Sequence, residues 1–238
     1  MNLADCLDQL FPDGHRTTVE GDVVAGEGTL AGTTASGRVA LIGTVGHAPI
    51  GVETALALAG HVLRVMQESP GMPILLLVDN AGQRLSRRDE LLANNGYLAH
   101  LTKCLEVART RGHQVLSLVY DQAISGGFLA AGMIADRTYA VTEAHIHVMN
   151  LPAMSRITQI PLDRLEALCA SSAVFAPGVP SFVKLGIVDG VWEGDLAAAL
   201  RNALADRSTA DRRSAAGFER GGRTLAVEVA RRVQEARG

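Results

Sequence analysis

Residues 73–82 read PILLLVDNAG, and residues 115–133 read VLSLVYDQAISGGFLAAGM. Each stretch begins with an apolar run of the kind that forms a strand covered on both faces. Each then continues through a polar, glycine-bearing segment toward a helix. Glycine lets a ligand approach the backbone closely, and free N–H groups at such a turn bind an anion, or a carbonyl that becomes one. The two stretches therefore predict buried strands that each end in a glycine-bearing turn.

Helix and strand patterns surround these two stretches and predict the fold class. Ser86 and Asp89 resemble a capping box at the start of a long helix that Gly112 closes. The other predicted elements are a β-rich opening, a helix with apolar residues at helical spacing, two β-like pieces and two further helical segments, at 19–46, 52–68, 138–141, 145–149, 162–170 and 194–205. This order predicts an α/β protein with a largely parallel sheet.

The C-terminal segment differs in composition from the rest of the chain. Residues 1–205 read as one large domain, whereas 206–238 contain few large apolar residues and many arginines: Arg207, Arg212, Arg213, Arg220, Arg223, Arg231, Arg232 and Arg237. This pattern predicts a solvated helical tail. A docking surface for an acidic partner is the alternative.

Composition excludes several classes of protein. The chain has 238 residues, of which 47% are hydrophobic and 20% charged, and its net charge is −3, so it is neither disordered nor a typical nucleic-acid binder. No apolar run reaches the roughly 18 residues of a membrane span, and the N-terminus does not read as a signal peptide. The three cysteines are too widely spaced for a disulfide framework or a metal knuckle. We therefore expect a cytoplasmic protein without a metal.

Three motifs carry a resemblance to a known superfamily. The strand and turn at 73–82 resemble a strand ending in Asp-x-x-Gly, Ser125–Ala130 resembles a Ser-Gly-Gly-Ala helix start, and Ala135–Val141 resembles the Asp-Arg-x strand that follows. Together they resemble the acyl-CoA carboxyltransferase branch of the crotonase superfamily, over roughly 39–205. Within that branch, the length and overall pattern look most like the gamma subunits of biotin-independent malonate decarboxylases.

The resemblance implies a fold, a reaction and partners. The implied fold is a crotonase-like ββα superhelix in which two related subunits pair around the active site. The implied reaction is that of a carboxy-lyase, which decarboxylates a malonyl thioester on an acyl carrier protein to the acetyl thioester. It also implies a prosthetic group derived from dephospho-CoA on the carrier, no biotin, and as partners a beta subunit, the acyl carrier protein and an acyl-carrier-protein transferase subunit.

The resemblance also implies which groups are catalytic. Loss of CO2 leaves an enolate with its charge on the thioester oxygen, and backbone N–H groups aimed at that oxygen lower the barrier. The segments Ala81–Gly82 and Gly126–Gly127 are the expected donors. Such glycines also serve tight turns and close helix packing, which is the structural alternative.

Five further residues are candidates for contacting the substrate or the prosthetic group: Asn80, Arg84, Ser125, His147 and Asn150. Arg84 suits a phosphate, Asn80 offers an amide donor, and His147 suits positioning or proton supply. The structural alternative for Asn80 is a turn former. For Arg84 it is a solvated helix start, and for His147 it is a polar residue on a strand.

Three other functions remain open at this level. Ser125 before Gly-Gly also resembles the nucleophile of Clp-type serine peptidases. Asn150 stands where their histidine would be, and asparagine is not a base. An alpha-type subunit of a biotin-dependent acyl-CoA carboxyltransferase uses the same enolate. A non-catalytic scaffold subunit with this fold is the third alternative.

Overall fold

The computed structural model describes residues 1–32, 37–208 and 210–236. The strands within these ranges are β1 His15–Glu20, β2 Val23–Thr29, β3 Arg38–Thr44, β4 Ala48–Ile50, β5 Ile74–Gln83, β6 Val115–Ile124, β7 Arg137–Val141, β8 His145–His147 and β9 Gly190–Trp192. The helices are α1 Leu3–Leu10, α2 Val52–Glu68, α3 Arg87–Leu91, α4 Asn94–Thr110, α5 Ser125–Ala131, α6 Leu151–Thr158, α7 Leu162–Ser171, α8 Val179–Lys184, α9 Leu196–Ala205, α10 Arg213–Glu219 and α11 Thr224–Glu235. None of these helices is long and apolar enough to cross a membrane.

The strands form one sheet that begins antiparallel and continues parallel. They hydrogen-bond in the order β1-β2-β3-β5-β6-β7-β9, with β4 beside β5 and β8 beside β6. The first three strands pair antiparallel, and the other pairings are all parallel. The predicted β-rich opening and largely parallel α/β sheet are both confirmed.

Alternate residues of β5 contribute to two separate hydrophobic clusters. Leu75 and Leu77 belong to a cluster that includes residues of α1 and α9. Ile74 and Leu76 belong to a second cluster, with residues of α2 and α4. All four are at most 4% exposed, and each such side chain contributes about 1.5–3 kcal/mol on burial. The apolar run of β5 is therefore covered on both faces, as its composition predicts.

β5 and β6 are each ten residues long because each acquires a second partner strand. β5 pairs first with β3 and then with β4, and β6 pairs first with β7 and then with β8. The segments 79–82 and 121–124 are therefore strand continuations, and their prediction as turns is wrong. Both second partners are strands of only three residues; β8 corresponds to the β-like piece predicted at 145–149, whereas β4 was not predicted.

The helix predicted from Ser86 onward is broken into α3 and α4. Ala93 adopts the left-handed conformation with φ 58° and separates them. The N-cap half of the predicted capping box is confirmed, because the Ser86 hydroxyl accepts the Asp89 N–H at 3.0 Å. Asp89 also accepts the N–H of Val52 at 3.1 Å and so joins α3 to the start of α2. The sequence patterns predicted neither α1, α6 and α8 nor β9.

The arginine-rich segment contains two helices with different surroundings. Arg220, at the end of α10, donates to the carbonyls of Val183 and Val188 at 2.8 and 3.0 Å. Arg213 donates to the carbonyl of Met133. α10 is thus attached to the rest of the chain, whereas α11 has no buried residue, and the solvated helical tail stays a prediction. Arg237 lies outside the described residues, and the domain boundary at 205 stays a prediction.

Candidate functional site

The glycine segments at the ends of β5 and β6 lie in direct contact. A Cβ placed on Gly127 would lie 2.7 Å from the carbonyl carbon of Gly82 and 2.9 Å from Oδ1 of Asn80. Gly82 has φ +88°, and a Cβ there would lie 3.2 Å from the carbonyl oxygen of Ile124. Neither position has room for a larger residue without movement of backbone. The fold therefore brings the two predicted segments together.

The four predicted donors differ in their hydrogen bonding. The Gly82 N–H donates to Oδ1 of Asn80 at 3.1 Å, and the Gly126 N–H donates to Oε1 of Gln83 at 3.1 Å. Within the described ranges, the N–H of Gly127 meets no acceptor, and Ala81 is exposed. One donor is thus free, and a second is held by an amide oxygen on a partly exposed side chain. α5 has only seven residues, so we expect these N–H groups to stabilise an anionic oxygen more than the helix dipole does.

Asn80 and Ser125 support this contact from either side. Asn80 is fully buried; its Oδ1 holds Gly82, and its Nδ2 has no hydrogen-bond partner in the part of the chain that the structure describes. Ser125 adopts φ 47° at the start of α5, a conformation that costs a residue with a Cβ about 1–2 kcal/mol. No side chain caps α5, so the Ser125 hydroxyl is not a helix cap. Strain of this kind tends to accumulate at functional sites.

Two of the other candidates, Arg84 and Asn150, have structural partners. Arg84 lies 3.7 Å from a carboxylate oxygen of Asp22 and 3.8 Å from one of Glu53. Oδ1 of Asn150 accepts the N–H of Ala153 at 2.9 Å and caps α6. Both roles hold the fold together, and contact of either residue with a prosthetic group stays a prediction.

His147 lies beside the glycine segments. It pairs in register with Ile124, the residue before Ser125. Partial burial, followed by repulsion from the neighbouring His145, lowers the pKa of His147. A neutral imidazole is therefore favoured next to α5.

A second polar cluster lies on the same two strands and was not predicted. Nε2 of His47 is 3.1 Å from Oδ2 of Asp121 and 3.5 Å from Oδ1 of Asp79, and the His47 N–H donates to Oδ2 of Asp79 at 3.0 Å. Asp79 is buried, and burial is the main cause that raises its pKa, with Asp121 adding repulsion. The sequence signal for this cluster is that an aspartate, Asp79 or Asp121, directly follows the apolar run of each strand. The three residues come from three elements, so their spacing matches no short motif.

A family model and one curated relative match the sequence. Residues 46–237 match the model described as malonate decarboxylase gamma subunit. The chain is also 35% identical, over 153 residues, to the malonyl-S-ACP:biotin-protein carboxyltransferase of Malonomonas rubra. That match covers 60% of this chain and 52% of the relative, so the chain spans about half the length of that protein.

Solved structures show the same fold. A Pseudomonas malonate decarboxylase hetero-tetramer in complex with coenzyme A contains a chain that is 24% identical, with a TM-score of 0.78 and 97% of each chain covered. A Pseudomonas malonate decarboxylase hetero-dimer gives a TM-score of 0.76 with the same coverage and identity. The 12S transcarboxylase core gives 0.70 at 16% identity, covering 86% of this chain and 41% of that one. The predicted crotonase-like carboxyltransferase fold is confirmed. Because the family model spans most of its length, the chain belongs to the malonate decarboxylase gamma subunit family.

Proposed function

We propose that this chain, together with a beta-type subunit, decarboxylates a malonyl thioester on an acyl carrier protein to the acetyl thioester. The observation that carries the proposal is the contact between Gly82 and Gly127, with the Gly127 N–H free of any acceptor in the described part of the chain. Membership of the gamma subunit family supports the reaction class.

The reaction requires stabilisation of negative charge on one oxygen. The bond between the carboxylate carbon and C2 breaks, CO2 leaves, and the electron pair forms an enolate on the thioester oxygen; a proton then adds at C2. A preorganised N–H donor to that oxygen contributes about 3 kcal/mol. Gly127 supplies one such donor. Gly126 supplies a second once the thioester oxygen replaces the Gln83 amide oxygen, which is a carbonyl acceptor of similar kind.

The relatives support a beta-type partner and a carrier-bound substrate. The similar Pseudomonas chains occur in a hetero-dimer and a hetero-tetramer, which supports pairing of this chain with a beta subunit. The Malonomonas relative is named for malonyl-S-ACP, which supports a carrier-bound substrate. We include in the proposal a dephospho-CoA-derived prosthetic group on the carrier, an acyl-carrier-protein transferase in the holoenzyme, and the cytoplasm as the compartment.

Carboxyl transfer to biotin is the second candidate function. The name of the Malonomonas relative includes a biotin protein as acceptor, and its identity with this chain is 35%. Both reactions pass through the same enolate and differ in the fate of the carboxyl group.

Biotin dependence is the experiment that separates the two functions. The chain is co-expressed with its beta subunit and carrier, and release of CO2 and formation of acetyl thioester are measured with and without avidin. The proposal expects full turnover in the presence of avidin. Loss of turnover with avidin, restored by excess biotin, would support the carboxyltransferase instead. Full activity of this chain as a monomer would contradict the two-subunit site.

A further inference from the structure

His47, Asp79 and Asp121, called the His47 cluster below, offer three metal-ligating atoms from three separate elements. His47 lies in the loop between β3 and β4, Asp79 on β5 and Asp121 on β6. One ligand atom from each lies within 4.8 Å of the other two, and within the described ranges this is the one group of three such side chains. We infer that these three residues bind one divalent transition-metal ion of the zinc class.

The distances between the ligand atoms suit such an ion. Metal bonds of about 2.0–2.2 Å in tetrahedral geometry place neighbouring ligand atoms about 3.3–3.6 Å apart. Nε2 of His47 lies 3.1 Å from Oδ2 of Asp121 and 3.5 Å from Oδ1 of Asp79. An ion between them therefore needs only small side-chain adjustments.

The buried carboxylate oxygen of Asp79 is an independent indication of a missing ligand. The side chain of Asp79 is 5% exposed. Among the described residues its Oδ1 accepts no hydrogen bond, and the imidazole of His47 lies 3.5 Å away. Its other oxygen already accepts the His47 N–H. A buried carboxylate oxygen without a donor is unfavourable, and a second carboxylate, that of Asp121, lies close by. A divalent cation satisfies the free oxygen and neutralises both carboxylates at once.

The ligand types select the class of metal. Imidazole favours zinc, iron, nickel or copper over magnesium and calcium, while carboxylates accept all of them. Three protein ligands leave at least one coordination position for water, and the His47 side chain is 53% exposed, so that position faces solvent. The ion would hold the β3–β4 loop to β5 and β6. The inference does not depend on the proposed decarboxylation.

Metal binding is measured on the full chain in its co-expressed complex, after treatment with a chelator. Cobalt(II) is the probe, because its visible absorption reports coordination, and metal analysis after zinc loading gives the stoichiometry. We expect one equivalent more metal per chain in the wild type than in H47Q, D79N or D121N. We also expect cobalt affinity at least about 100-fold weaker in these variants, the upper end of what loss of an outer-shell partner costs.

A matched control exists elsewhere in the chain. His15 pairs with Asp8 at 3.2 Å without a second carboxylate, so H15Q should keep the wild-type stoichiometry. Zinc should also raise the thermal midpoint of wild type and H15Q but not of H47Q. Equal metal content in wild type and H47Q would overturn the inference. So would a wild type that binds no cobalt, in which case His47 serves only as an ion-pair partner of the two carboxylates.

Discussion

Replacing Gly127 by alanine tests whether the contact between the two glycine segments is catalytic. The added Cβ would lie 2.7 and 2.8 Å from the carbonyl carbon and Cα of Gly82, whereas carbon atoms pack at about 3.5 Å or more. The two segments must therefore separate by about 0.8 Å, since both contacts are with backbone. Overpacking of this kind costs about 1–3 kcal/mol of stability. A misplacement of about 1 Å in a catalytic group can cost on the order of 100-fold in rate.

The measurement compares kcat of the reconstituted complex with its thermal midpoint. For G127A we expect kcat to fall by roughly 100-fold while the complex still assembles at 25 °C, with the midpoint lower by about 2–4 °C per kcal/mol lost. G126A is the matched control. Its Cβ would lie 2.9 Å from Oε1 of Gln83, the movable end of a side chain. We therefore expect G126A to lose less than about 1 kcal/mol of stability and less than about tenfold in kcat.

The decisive result is a G127A complex that stays assembled. If such a complex keeps at least half of the wild-type kcat, Gly127 serves packing alone. The chain is then better described as a scaffold that completes an interface. If G126A instead loses more rate than G127A, the main donor is the Gly126 N–H and our assignment of the free donor is wrong.

Gln83→Ala should lower KM for the malonyl thioester about two- to tenfold with little change in kcat, because it removes an internal acceptor worth about 0.5–1.5 kcal/mol from the Gly126 N–H; a higher KM would show that Gln83 binds substrate. Ser125→Ala should keep most of the activity, because an enolate needs donors and not a nucleophile, and stoichiometric labelling of Ser125 by a fluorophosphonate would contradict this. Ser125→Gly should raise the free energy of unfolding by about 0.5–1 kcal/mol, as relief of the left-handed strain exceeds the greater entropy of the unfolded chain. His147→Gln should make the folded state less sensitive to acid. The pKa of His147 is lowered in the folded state, so the unfolded state binds more protons as the pH falls through about 6.5. The wild type therefore loses stability at low pH that the variant keeps. Thermal midpoints at pH 8 and pH 5 check this last prediction, and an equal loss in both proteins would refute it.

The sequence predicted those parts of the fold that depend on local pattern. The apolar runs of β5 and β6, the helical spacing of α2 and the N-cap at Ser86 are signals within a few residues, and each corresponds to the structure. β4 and β9 depend instead on pairing with strands distant in sequence. The break at Ala93 likewise has no local signal, because alanine favours the continuous helix that the pattern predicted.

The candidate site divides in the same way. The glycine segments were recognisable because glycine is required where one backbone touches another. The acceptor of Gly82 is local, because Asn80 lies two residues before it. The acceptor of Gly126 was not predictable, since Gln83 reaches Gly126 across 43 residues. The His47 cluster joins positions 32 and 42 residues apart, and the parallel pairing of β5 and β6, with its register shift between Val78 and Asn80, brings both aspartates near one imidazole.

The neighbouring positions Asp79 and Asn80 face different surroundings because side chains alternate along a strand. Asp79 contacts His47, while Asn80 contacts Gly82 and Gly127. A one-residue insertion earlier in β5 would move the carboxylate of Asp79 to the place where the enolate charge forms, and a one-residue deletion would move the amide of Asn80 to the imidazole. The positions of Asp79 and Asn80 therefore both constrain the number of residues in β5. Length changes among relatives should be confined to the loops on either side of this strand.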